Sequence, residues 1–142
     1  MGFKSFIKEA IEEEKNKTPE QKQKEAEEKE NKKLNQIYER YEDYLLEGEK
    51  ILFHTANLKG SYLFLENRIL FHDDRLKKGT KQEYHTIPYK NIKRFSIEKA
   101  GIADMDTDIK LFLGGSEVES LVLKVPINST KTINKIILSK IL

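Results

Sequence analysis

At Gly48 the spacing of apolar side chains changes from helical to alternating, and that switch restricts what the 142 residues can form. Before it, Leu34, Ile37, Tyr38, Tyr41 and Leu45 share one helical face. After it, apolar residues recur at every second position in short runs broken by Gly, Pro, Asn or Asp. A helical arm over 1–47 followed by a β-rich domain over 48–142 is the expected organisation.

The arm divides further. Phe3, Phe6, Ile7, Ala10 and Ile11 make one apolar helical stripe, which predicts a helix over about 2–14. Lys15 to Lys33 holds almost nothing apolar beyond Ala26, so it cannot bury itself. Thr18 before Pro19 reads as an N-cap with proline at the first helical position. A second helix is therefore expected over about 19–46, closed by Gly48 as a glycine C-cap.

Seven strands are expected beyond Gly48, at Ile51–Leu58, Tyr62–Leu65, Ile69–His72, Tyr84–Ile87, Ile92–Glu98, Thr107–Leu113 and Glu119–Val125. Glu66-Asn67-Arg68 joins the second to the third as a hairpin. Pro88 and Pro126 stop two strands. Ile133, Ile136, Ile137 and Ile141 then mark an apolar helical face, capped by Asn128 or Ser129. A small barrel of seven antiparallel strands has an open mouth, and a terminal helix across it buries both apolar surfaces. The fold class is mainly β with α.

Four segments carry a family likeness: Leu45-Leu46-Glu47-Gly48-Glu49, Leu65-Glu66-Asn67-Arg68-Ile69-Leu70-Phe71, His85-Thr86-Ile87-Pro88-Tyr89, and Phe95 through Ala100-Gly101 to Asp104 and Asp106. In this order they resemble the bacterial pleckstrin-homology (PH) domain family, over about residues 45–142. Leu58-Lys59-Gly60-Ser61 departs from a charged or aromatic signature common at that place. The resemblance implies a PH-like barrel, a non-enzymatic binding role and homo-oligomeric assembly. It names no ligand, since fold alone does not deliver function.

Composition excludes several classes. The chain has no cysteine, which removes disulfides, Cys-ligated zinc and thiol nucleophiles, and fits a reducing cytoplasm. No apolar run approaches the roughly 18 residues of a membrane span. Charged residues interrupt any signal-peptide core, and Phe6 stands where myristoylation needs Ser or Thr. A net charge of +2 makes nucleic acid an unfavoured partner. The expected location is cytoplasmic, with a membrane-peripheral variant.

Two surfaces stand out. Arg75, Lys77, Lys78 and Lys81 make a basic loop, a candidate contact for an anionic ligand or membrane surface. Leu34, Ile37, Tyr38, Tyr41 and Leu45, with Phe3, Phe6 and Ile7, form the candidate protein interface, because aromatic residues supply buried contact area at low entropic cost. His54, His72 and His85 lie on different expected strands near Asp73 and Asp74, without HxH or HExxH spacing. Asp104, Asp106 and Asp108 alternate, but Ile109 and Gly115 stand where a calcium loop needs Gly and Glu. No catalytic residue, metal or cofactor is therefore expected. The reading is a protein-binding and self-assembly module, an adaptor or inhibitor, with the arm as partner or subunit interface. Anionic-ligand binding through the basic loop is the alternative.

Overall fold

A computed structural model describes residues 12, 15–57, 60–73, 81–98, 105–114 and 119–142. The chain divides into two compact units, Met1–Glu47 and Gly48–Leu142. The expected helix over 2–14 falls outside the described residues.

In the first unit, α1 spans Pro19–Arg40. Its start follows the sequence closely. The Gln21 amide donates to Thr18 Oγ1 at 3.2 Å, and the Thr18 amide donates to Gln21 Oε1 at 3.1 Å, a reciprocal capping box. Lys17 adds an ion pair to Glu25 at 2.7 Å. The end differs from expectation. The helix stops at Arg40 rather than 46, and a 3-10 turn at Glu42–Tyr44 follows. Leu45 is extended, so the apolar spacing runs on past the helix that it implied. Gly48 has a φ of 75°, the left-handed conformation expected of it, but eight residues beyond the last α-helical residue, Arg40.

The second unit is a pair of packed antiparallel sheets. The first holds β1 (Ile51–Asn57), β2 (Gly60–Leu65), β3 (Arg68–Asp73) and β4 (Glu83–Pro88), in that order. The second holds β5 (Arg94–Ile97), β6 (Asp106–Phe112) and β7 (Leu121–Pro126). All seven expected strands are present, but they form a sandwich of four and three strands rather than a closed barrel. The reason lies at Tyr89–Asn91, where a 3-10 turn after Pro88 carries the chain from one sheet to the other. Ile92, expected to start the fifth strand, caps that turn instead.

Alternation along the strands decides the core. Tyr62, Phe64, Ile69, Phe71 and Ile87 of the first sheet face Ile109, Leu111, Leu123 and Val125 of the second. α2 (Thr130–Ile141) adds Ile133 and Ile137, both fully buried, and packs near the Tyr89–Asn91 turn. Its start departs from expectation too. Ser129 stands at the N-cap, but its hydroxyl donates back to the Pro126 carbonyl at 2.7 Å and caps no helix amide. β2 is buried along its whole length, so Leu63 and Leu65 are covered on the face opposite Tyr62 and Phe64.

The sheets meet at one corner through side chains. Asn57 Nδ2 donates to the Lys124 carbonyl, and the Lys124 amide donates to the Tyr62 hydroxyl at 3.0 Å. Gly60 opens β2 opposite Asp73 of β3. A Cβ there would run into the His72 carbonyl oxygen, a backbone atom that cannot swing aside. This explains why a glycine sits where the family signature departs. Gly60→Ala is expected to destabilise the domain by about 1–3 kcal/mol, as overpacking does. A drop in urea midpoint with an unchanged m-value checks it.

Candidate functional site

Three of the four family-like segments converge at one end of the first sheet. Arg68 opens β3, and its guanidinium grips the Glu49 carboxylate with two bonds, Nε to Oε2 at 3.0 Å and Nη2 to Oε1 at 2.8 Å. Nη1 donates to Thr86 Oγ1 at 2.9 Å. Both members are largely covered, at 17% and 8% side-chain exposure, so water does not replace the pair cheaply. The bond to Glu49 raises the pKa of Arg68 above its ordinary value, despite burial acting the other way.

Tyr89 completes this cluster. Its amide donates to the Asn67 carbonyl at 3.1 Å, and its buried hydroxyl donates to the Leu65 carbonyl at 2.8 Å. These bonds hold the hairpin between β2 and β3 against the turn after β4. Asn67 keeps a negative φ, so the hairpin is shaped by Tyr89 and not by a left-handed asparagine. Burial pushes the pKa of Tyr89 well above the ordinary tyrosine value. A hollow lined by Glu66, Asn67, Arg68, Pro88, Lys90 and Lys140 lies over the cluster.

The other end of the same ladder is different in kind. From the Arg68–Pro88 rung to the Asp73–Glu83 rung is five residues, about 17 Å at 3.4 Å per residue. There a pocket of about 350 Å³ opens between the sheets, lined by Tyr62, Phe71, Asp73, Glu83, His85 and Lys124. One donor atom from each of Asp73, Glu83 and His85 lies within 4.8 Å of the others. Asp73 is buried, His85 half-buried and Glu83 exposed. His85 Nε2 is 3.0 Å from Glu83 Oε2. The imidazole stacks on Phe71 at 5.5 Å between centroids, and Phe71 stacks on Tyr62 at 4.7 Å. Lys124 turns toward Asp108 at 3.5 Å.

The register separates the three histidines. His85 faces the second sheet with Phe71 and Asp73. His54 and His72 share the opposite face with Leu63 and Leu70, and His72 stacks on Tyr84 at 4.4 Å. The sequence put all three histidines near Asp73 and Asp74; the register turns His85 to the face of Asp73 and Glu83, and Glu83 was not singled out. The signal was available: Glu83 and His85 are two apart on one strand and so share a face.

Of the basic loop, Arg75, Lys77 and Lys78 lie outside the described residues, and Lys81 is exposed. Phe3, Phe6 and Ile7 also lie outside them. Leu34, Ile37 and Tyr38 are half-buried on α1, Tyr41 is buried at its C-cap, and Leu45 is half-buried. Asp104 is outside the described residues. Asp106 is exposed, and Asp108 faces Lys124 across β6 and β7.

Two packed sheets of four and three strands with a C-terminal helix make a PH-like fold. The family model described as Bacterial PH domain matches residues 20–141, and the chain belongs to that family. The match begins inside α1, so the family pattern takes in the helix as well as the sandwich. The chain is similar to the uncharacterized protein YjqA of Bacillus subtilis (strain 168), with 34% identity over 85 residues, 60% of this chain and 68% of that one. A protein with a pleckstrin-homology domain from Shewanella loihica PV-4 superposes with a TM-score of 0.65 at 26% identity, covering 77% of this chain and 93% of its own. The pleckstrin homology domain from Shewanella amazonensis SB2B gives 0.63 at 29% identity, over 77% and 88%. No described helix is long and apolar enough to cross a membrane.

Two outcomes follow from the hairpin cluster. Arg68→Ala removes two charge-assisted bonds to the covered Glu49 carboxylate and one to Thr86, and is expected to cost about 2–3 kcal/mol, read by chemical denaturation. Tyr89 carries a linked alkaline effect. Its folded pKa is raised above the ordinary 10.0, so the folded state holds the proton longer than the unfolded chain. That contribution is intact below about pH 10 and is lost as the pH rises further. Denaturation at stepwise higher pH should show a steeper loss in the parent than in Tyr89→Phe.

Proposed function

We propose that this chain is a non-enzymatic protein-binding and self-assembly module, cytoplasmic, with the arm helix as its partner or subunit interface. An adaptor or inhibitor works in this way: it presents a surface and performs no chemistry. The observation that carries the reading is that α1 buries none of its 22 residues. Every side chain from Pro19 to Lys33 is exposed. Ordering a backbone costs about 1–2 kcal/mol per residue. Capping and charge pairs along the exposed part return only a few tenths to about 1 kcal/mol each. The half-covered stripe Leu34, Ile37 and Tyr38 still has apolar surface to bury, and a second protein surface supplies the missing contact.

Anion binding through the basic loop has less support. Asp73 and Glu83, which flank that loop in the sequence, are both carboxylates and both line the pocket between the sheets.

Size-exclusion chromatography with light scattering on the full chain tests the reading. The expected mass at tens of micromolar is a multiple of the 16.6 kDa protomer. Replacing Leu34, Ile37 and Tyr38 together with Glu should return a folded monomer. A monomeric parent, or an assembly that the triple variant leaves intact, would overturn self-association through this helix.

A further inference from the structure

We propose that Asp73, Glu83 and His85 form a binding site for a divalent transition-metal ion of the zinc type. The proposal goes beyond the arm interface and does not depend on it.

Asp73 and Glu83 are directly opposite each other on β3 and β4 and point to the same face. Asp73 is only 7% exposed and Glu83 is exposed, so one oxygen donor is held by its strand and the other can adjust to an ion. His85, two residues along β4, brings a third donor to the same face, with its Nε2 already 3.0 Å from Glu83.

The geometry fits a small ion. Metal–nitrogen and metal–oxygen bonds are about 2.0–2.2 Å, so tetrahedral donors lie about 3.4 Å apart. The three donors lie within 4.8 Å of one another, and Glu83 is exposed and can turn through the remaining distance. The other two are held. Asp73 is buried on the ladder, and the His85 ring rests against Phe71. The pocket beyond leaves a coordination position for water or a donor from a partner. Lys124, the cation lining the same pocket, is drawn to Asp108 at 3.5 Å.

The donor set selects the metal. One imidazole with two carboxylates suits zinc, cobalt or nickel, whereas calcium and magnesium favour all-oxygen shells. A bound ion ties the end of β3 to the start of β4, across the base of residues 74–82. Its first effect is to stabilise that end of the sandwich, because an ion that binds only the folded state raises the midpoint.

The test uses untagged full-length protein titrated calorimetrically with zinc chloride. One ion per chain is expected, with a rise in thermal midpoint that magnesium does not reproduce. Cobalt should give a visible absorption band. Glu83→Gln and His85→Gln should each weaken zinc by at least about tenfold, the lower end of the loss seen even for groups outside the ligand shell. Glu83 is exposed, so its variant keeps the fold. His72→Gln, on the opposite face, should bind as the parent does. Absence of one-to-one zinc binding, equal affinity in Glu83→Gln and His85→Gln, or an equal loss in His72→Gln would each overturn the site. So would displacement of zinc by equimolar magnesium.

Discussion

The Lys124 amide donates to the Tyr62 hydroxyl at 3.0 Å, and much of the domain's arrangement depends on that bond. Tyr62 belongs to the first sheet and Lys124 to the second. Two sheets that share an apolar core can slide, because hydrophobic contact has little direction. A hydrogen bond from the Lys124 amide to the hydroxyl of the buried Tyr62 helps to fix their relative position where β1 and β7 meet, and Asn57 adds a second bond beside it. The Tyr62 ring then stacks on Phe71, and Phe71 on His85. The contact that joins the sheets is therefore also the first member of the stack that orients the imidazole.

The strands were legible because their residues alternate. Ile109, Leu111 and Leu123 announce a buried face in the sequence itself, and they are buried. The end of α1 was not legible. Tyr41 and Leu45 keep helical spacing, but spacing describes where apolar side chains fall, not whether the backbone remains helical. Here the chain tightens into a 3-10 turn at Glu42 and becomes extended at Leu45. Nor was the open sandwich legible. Closure depends on how the chain crosses after Pro88, and strand count does not specify that.

The candidate site shows the same limit more sharply. Glu83 and His85 share a strand face by simple alternation, yet Asp73 joins them only through the β3–β4 register. Ten residues separate Asp73 from Glu83 in the chain, and no local spacing rule connects them. A search for HxH or HExxH spacing passes over such a set because two strands supply it. The family-like segments, by contrast, resolve into scaffolding. Glu49 and Arg68 bond to each other, Arg68 also to Thr86, and Tyr89 to the backbone. They mark the fold and say little about a ligand. Of the three donors at the other end, His85 alone lies in a family-like segment.

The two ends of the β3–β4 ladder thus differ in the groups they bring together. At one end a carboxylate and a guanidinium meet in two hydrogen bonds, and a third bond reaches Thr86. Opposite charges are matched within the rung's own neighbourhood, so a visiting ligand gains little there. At the other end two carboxylates face each other across a rung, with an imidazole as their neighbour on the same face. Neutral imidazole adds a nitrogen lone pair to the carboxylate oxygens, so this face offers the mixed donors that a transition-metal ion accepts. One ladder therefore closes a salt bridge at the end that three family-like segments share and gathers carboxylate and imidazole donors on one face at the other.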